Sequence, residues 1–174
     1  MSATPDFDAL DARIIRLFAE EPRVGVLEAS RRLAVARGTI QARLDRLHAR
    51  GMVTGYGPDI EPAAIGFAVT AFMTLEISQG SGHGRIEDRL AAIPELLELH
   101  TITGAGDMLC RVGARSNADL QRVVDAVLAV PGVTRTSTVI ALARPIPYRT
   151  LPLVDAAAST SEPVSPVPAR PALR

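Results

Sequence analysis

Six arginines lie between Ser30 and Gly51: Arg31, Arg32, Arg37, Arg43, Arg46 and Arg50, against a single acid, Asp45. A guanidinium is a permanent cation with a planar fork of donors. It suits phosphate oxygens and the O6/N7 edge of guanine. The chain as a whole carries 19 basic and 19 acidic residues, a formal net charge of zero. Indiscriminate attraction to polyanions is therefore excluded, and the local cluster is what counts. Every basic residue is arginine, with no lysine.

A second constellation is Thr103-Gly104-Ala105-Gly106-Asp107, followed at once by the apolar run from Met108 to Val112. One reading is a hairpin turn, with both glycines at positive φ and Asp107 bonded to a nearby backbone N–H. The other is a binding site. Backbone N–H groups at such a turn hold a carboxylate, and the Asp107 carboxylate holds an ammonium. Those are the two charged ends of a free amino acid. Thr134, Thr136 and Thr138 alternate along a later strand, so their hydroxyls point one way and are candidate lining for the same pocket.

Other chemistry is poorly supplied. His48, His83 and His100 have no ligand spacing, so no metal is expected. Cys110 is the single cysteine. It cannot form an internal disulfide, which fits a reducing compartment. It alternates with Met108 and Val112 and reads as a small core residue. No Ser/His/Asp or paired-carboxylate arrangement emerges, so no catalytic residue and no cofactor are expected. No apolar run approaches the ~20 residues of a membrane span. The acidic, polar first residues are not a signal peptide, and a cytoplasmic protein is expected.

The composition is globular, 47% hydrophobic and 22% charged, with only 3% aromatic residues. Leu10, Ile14, Leu17 and Phe18 form a helical stripe over residues 7–20, with Asp8 as N-cap. Residues 26–35 predict a second short helix. Residues 38–50 predict a third, stopped by Gly51 as a C′ glycine. Ile40, Leu44 and Leu47 give that third helix a narrow core stripe, and a short strand and Gly/Pro turn follow as a wing. Three helices and a wing make a winged helix-turn-helix, whose third helix enters the major groove of DNA. Thr39, Gln41, Ala42 and Arg43 are then candidate base readers. Arg37 lies on the same flank as Gln41. Arg46 and Arg50, with Arg31 and Arg32 on the second helix, are candidate phosphate contacts.

From Phe67 the period changes to two. Phe67, Val69, Ala71, Met73, Leu75 and Ile77 share one face, and Ala68, Thr70, Phe72, Thr74, Glu76 and Ser78 the other. Gly80–Gly84 reads as a loop. A helix over 85–93, strands over 96–103 and 108–114, a helix over 116–130 opened by Ser116 and Asp119, and a strand over 131–143 complete the order βαββαβ, a ferredoxin-like α+β plan. Two helices cover only one sheet face, so the other needs a partner. Residues 155–174, rich in proline and alanine, are expected to be disordered. The expected division is 6–60, a linker 61–66, 67–153 and the tail.

With these elements placed, the chain resembles the Lrp/AsnC family, the leucine-responsive or feast/famine regulators. The motifs are Phe7-Asp8-Ala9-Leu10-Asp11 with its following helix, the stretch Thr39–Ile60, the Thr-Gly-x-x-Asp loop at 103–107, and the passage Val130–Leu142. The family usually has Ser where this chain has Ala36, and alanine cannot cap, at a cost of about 1 kcal/mol. The resemblance implies a transcriptional regulator that binds double-stranded operator DNA. It implies sheet-to-sheet homodimers assembling further, often to octamers. It also implies an amino-acid-like effector bound by Gly104, Ala105, Gly106 and Asp107 with the last strand. Two alternatives stand beside it. One is a ligand-independent regulator. The other is an enzyme, since siroheme decarboxylases look similar over both domains; here only His100 and Arg111 suit that chemistry, and it leaves the six arginines unexplained.

Overall fold

Asp8 opens α1 (Ala9–Glu20) with a capping box. Its carboxylate accepts from the N–H groups of Leu10 and Asp11, and the Asp11 carboxylate accepts from the Asp8 N–H. Three otherwise unpaired donors are satisfied by the two carboxylates, which fixes where the helix begins. The computed structural model describes residues 7–78 and 83–160. They fall into two units, one holding the residues up to Pro58 together with those from Pro147 onward, the other Asp59–Ile146.

In the first unit α2 (Val26–Leu33) and α3 (Arg37–Ala49) follow α1. Ile14, Ala29, Ile40, Leu44 and Leu47 are buried together, with Phe18, Val26 and Leu33 packed around them. Each fully buried aliphatic side chain contributes about 1.5–3 kcal/mol, and this small cluster is what holds three short helices. Ala34 ends α2 in the left-handed region, φ 54°, ψ 44°. The Val35 N–H then donates to the Ser30 carbonyl, and the Ser30 hydroxyl donates to the Val35 carbonyl at 2.6 Å. Ala34 pays a Cβ penalty that glycine does not. Ala34→Gly is therefore expected to raise stability by about 0.5–1 kcal/mol, read as a higher urea midpoint at unchanged slope. The turn between helices falls at 34–36, and α3 begins at Arg37 with Ala36 at its N-cap and no side-chain hydrogen bond there. Gly51, φ +67°, follows its end.

Two expectations need correction here. The wing strand does not form: residues 52–61 carry no strand, and the one sheet among the described residues is built from later segments. Gly55, Gly57 and Pro58 within it disfavour a regular strand. Tyr56 instead stacks edge-on against His48, with ring centroids 4.8 Å apart. The tail expected to be disordered from residue 155 is helical over its first residues. Residues 151–160 form a helix, α6 (Leu151–Thr160), lying against α1, with Arg16 donating to Asp155. Leu151, Val154 and Ala158 are its half-buried face, spaced i, i+3, i+7. Three consecutive alanines supply helix propensity, and Pro152 sits in the first turn, where it costs little. The remainder of the tail, 161–174, lies outside the described residues.

In the second unit Pro62–Ile65 is a short 3-10 turn within the expected linker. The sheet then runs in the order β2-β3-β1-β4 from β1 (Val69–Ile77), β2 (Leu96–Thr101), β3 (Met108–Ala114) and β4 (Val133–Ile140), all antiparallel. Helices α4 (His83–Ala91) and α5 (Asn117–Leu128) cover one face. Ile86, Leu90, Leu120, Val123 and Val127 pack there on Ala71, Met73, Leu75, Met108, Cys110 and Val112. The alternation predicted for β1 is the observed one, with Ala71, Met73 and Leu75 inward. Ser116 caps α5 by accepting from the Asp119 N–H at 3.1 Å, while the Asp119 carboxylate accepts from the Arg115 N–H rather than closing a full box. Of the loop expected at Gly80–Gly84, residues 80–82 lie outside the described residues and His83 opens α4.

Candidate functional site

The burial of Ile40, Leu44 and Leu47 rotates α3 so that Arg37, Thr39, Gln41 and Ala42 face outward. Gln41 donates to Asp45 at 2.9 Å, one turn on. Arg37 and Arg50 are exposed and have no side-chain partner among the described residues. The other arginines of the cluster are engaged. Arg46 donates to both oxygens of Asp11, at 2.9 and 2.7 Å, and Arg43 donates to Asp11 at 3.0 Å and to Asp8. Arg32 pairs with Glu21 and Glu28, and Arg31 stands 3.6 Å from Glu28.

Asp11 is the centre of this network and is fully buried, at 0% exposure. A buried carboxylate is tolerated only when its lone pairs are filled and its charge is matched. Two guanidiniums and the Asp8 N–H meet that need. Asp8 sits at the surface, its side chain 51% exposed, while those of Arg43 and Arg46 are 24% and 31% exposed. Partial burial raises the Asp8 carboxyl, but the Arg43 hydrogen bond and the N–H groups of Asp11 and Leu10 outweigh it, and it lies below the ordinary aspartate value. Arg43 and Arg46 therefore fasten α1 to α3 in the free protein. Helical periodicity puts both arginines on the groove face and does not show that a charged residue such as Asp11 is inside.

The Gly-Asp loop joins β2 to β3. Gly104 has φ +111° and open space around it, as a turn glycine should. Gly106 does not have positive φ, contrary to expectation. It is required for a close approach: a Cβ there would overlap Thr74 Cγ2 and come within 3.2 Å of the Leu75 carbonyl oxygen. Asp107 binds the end of β1. Its N–H donates to the Leu75 carbonyl at 2.9 Å, and its Oδ2 accepts from the Ile77 N–H at 2.8 Å. One carboxylate oxygen is thus occupied by backbone.

Thr134, Thr136 and Thr138 do not form one row. Thr136 and Thr138 stand opposite Leu75 and Met73, whose side chains face the core. The register shifts between Glu76 and Ile77, so that Thr134 is an extra residue and donates to the Glu76 carbonyl at 3.0 Å. A bulge breaks the alternation that equal spacing implies. The open face beside the loop holds a hollow of about 290 Å³ bordered by Thr74, Glu76, Ala105, Arg135, Thr136 and Ser137. Glu76 and Arg135 are 3.6 Å apart across it. Thr74 and Glu76 were legible as the outward face of β1, while Arg135 and Ser137 needed the β4 register.

His100 lies 2.9 Å from Glu98, and Arg111 Nε is 3.5 Å from the same carboxylate without a hydrogen bond. Both residues reading toward tetrapyrrole chemistry are thus turned to one glutamate. Burial pushes the Cys110 thiol up to about 11, leaving it protonated and inert at neutral pH. Among the described residues no cluster of His, Cys, Asp and Glu suits a metal, and no helix is long and apolar enough to cross a membrane.

Residues 7–48 match the AsnC-type helix-turn-helix domain, and residues 70–151 the Lrp/AsnC ligand binding domain. The HTH-type transcriptional regulator FL11 of Pyrococcus horikoshii is 27% identical over 135 residues, 78% of this chain and 89% of its own length. An uncharacterized HTH-type transcriptional regulator of Pyrococcus furiosus is 31% identical over 137 residues, 79% of this chain and 92% of its own. Among solved structures, the feast or famine regulatory protein of M. tuberculosis complexed with L-methionine superimposes with a TM-score of 0.74 at 26% identity, over 82% of this chain and 96% of that one. Helix-turn-helix and four-stranded antiparallel sheet occur in the same order at nearly the same length as in these regulators, and the chain belongs to the Lrp/AsnC family of transcriptional regulators.

Proposed function

We propose that this regulator reads operator DNA with α3 and responds to a free amino acid or a closely related metabolite, acting without catalysis in the cytoplasm. The observation that carries the DNA reading is the outward stripe Arg37, Thr39, Gln41 and Ala42 on a helix whose other side is core. Such a face presents its first turns to base edges, Gln41 suiting adenine and Ala42 a thymine methyl. Arg50, at the far end, suits phosphate, as do Arg31 and Arg32 on α2 if they leave their glutamates. Arg50→Ala is expected to weaken binding to all sequences alike and to flatten the salt dependence by about 0.9 per lost phosphate contact. Gln41→Ala is expected to cost about 1–3 kcal/mol on the operator and little on random DNA. Anisotropy titrations over a salt series check both; wild-type curves for both variants remove α3 from the groove.

For the effector, the hollow beside the Gly-Asp loop offers complementary charge. Arg135 suits a carboxylate and Glu76 an ammonium, with the Thr74 and Ser137 hydroxyls between. A 26% identical relative holds L-methionine, which supports this ligand class. Asp107 has one oxygen left beyond its backbone bond, and the loop backbone of Gly104, Ala105 and Gly106 borders the same region. The exposed apolar residues of the sheet, Phe72, Leu97 and Val139, suit a second copy, and pairing of dimers toward octamers would complete the site. Calorimetric titration of the twenty amino acids into wild type, Arg135→Ala and Asp107→Ala, with light scattering for assembly size, tests this. Loss of binding in Arg135→Ala at unchanged assembly supports the hollow; equal affinity in wild type and Arg135→Ala moves the ligand elsewhere.

A further inference from the structure

Four of the six arginines between Ser30 and Gly51 are paired with acids of their own unit: Arg31 and Arg32 with Glu28, Arg32 also with Glu21, and Arg43 and Arg46 with Asp8 and Asp11. The two acids on α1 differ in kind. Asp11 is buried and holds both arginines, so removing it would strip a buried network. Asp8 is half exposed and holds Arg43 alone. Arg43 borders the same surface hollow of α3 as Gly38, Thr39 and Ala42, on the face assigned to DNA. Its guanidinium has donors enough to keep Asp11 while exchanging its other partner.

We propose that Asp8 is an internal phosphate mimic. Its carboxylate occupies Arg43 in the free protein and is displaced by a DNA phosphate on binding, so that every encounter with unselected DNA must first break this pair. The inference rests on α3 being the DNA face. Its consequence is a lower affinity for DNA of every sequence. The pair lowers the phosphate-driven part of binding, which all sequences share, and leaves the base contacts untouched. It also accounts for a DNA-binding face whose arginines are mostly neutralised locally in a chain of zero net charge.

Asp8→Asn keeps the cap, since asparagine serves as well as aspartate there, and removes the charge. Asp8→Ser is measured beside it as a second neutral cap. Both variants are expected to bind a short random-sequence duplex about three- to tenfold more tightly in low salt, with a log–log salt slope steeper by about 0.9 per protomer. The ratio of operator to random affinity should stay as in wild type, since the base contacts are unchanged. Adding Arg43→Gln to Asp8→Asn should abolish the gain. Arg50→Gln is the independent control on the DNA face. If Arg50→Gln flattens the slope while both Asp8 variants match wild type, the exchange is wrong and the face stands. If Arg50→Gln and Arg37→Gln leave binding unchanged, the face itself is wrong and the exchange falls with it. A gain that survives Arg43→Gln would also overturn the proposal, because the freed cation would not be Arg43.

Discussion

Asp11→Ala is expected to lower the unfolding free energy by about 3 kcal/mol, the lower part of the range for breaking a buried ion pair. The side chain is fully buried, it accepts from Arg43, Arg46 and the Asp8 N–H, and nothing else described occupies its place. Truncation leaves a cavity between α1 and α3, Arg46 without an anion and Arg43 with Asp8 alone. Their partial exposure lets water recover part of the loss, which keeps the figure from the top of the range. Urea unfolding of the variant measures it. Asp8→Ala makes the contrast: it removes a cap and a surface pair and should cost about 1 kcal/mol. If Asp11→Ala costs no more than Asp8→Ala, the buried carboxylate is not what fastens α3. DNA affinity should fall with stability in Asp11→Ala, since the reading helix loses its support.

Gly106→Ala is expected to cost about 1–3 kcal/mol, although alanine is the smallest addition possible. The new methyl meets Thr74 Cγ2 and presses toward the Leu75 carbonyl, and β1 is a central strand of the sheet that cannot move aside. Thr74→Ser deletes the methyl that collides. The double variant Gly106→Ala/Thr74→Ser should therefore recover a large part of the loss, a coupling that denaturant titrations on the four proteins read directly. Gly104→Ala behaves differently. Its cost, ~1 kcal/mol, comes from φ +111° with empty space around the site, so no partner substitution rescues it. Additive behaviour of Gly106→Ala and Thr74→Ser would mean that the loop shifts instead of pressing on β1.

Much of this architecture was legible in the letters. Period two over Val69–Ile77, the Asp8 and Ser116 caps and the glycine after α3 each follow from local rules that the structure obeys. What escaped depends on distant chain. That Asp11 lies inside rather than on the solvated face is decided by arginines 32 and 35 residues away. The two glycines of the loop look alike in sequence, yet one is needed for φ and the other for its neighbour across the sheet. The threonines of β4 are equally spaced, but a bulge opposite Glu76 reassigns them. Residues 155–160 read as the start of a proline-rich tail because they hold no large apolar residue, and only the turn before them and α1 beside them make them a helix.

That last helix has a consequence for how the protein is made. Arg16 and its partner Asp155 are 139 residues apart, and α6 belongs to the unit whose first three helices are translated before the sheet. At about 5–20 residues per second, the interval between them on the ribosome is roughly 7–30 s. The sheet unit, Asp59–Ile146, is continuous and is fully synthesised within that interval. The operator-reading unit is begun first and finished last. A nascent chain passes through a stage in which the surface of α1 that α6 will cover is still bare. Ribosome stalling or premature termination after the sheet would release a molecule with its sensing unit whole and its reading unit one helix short.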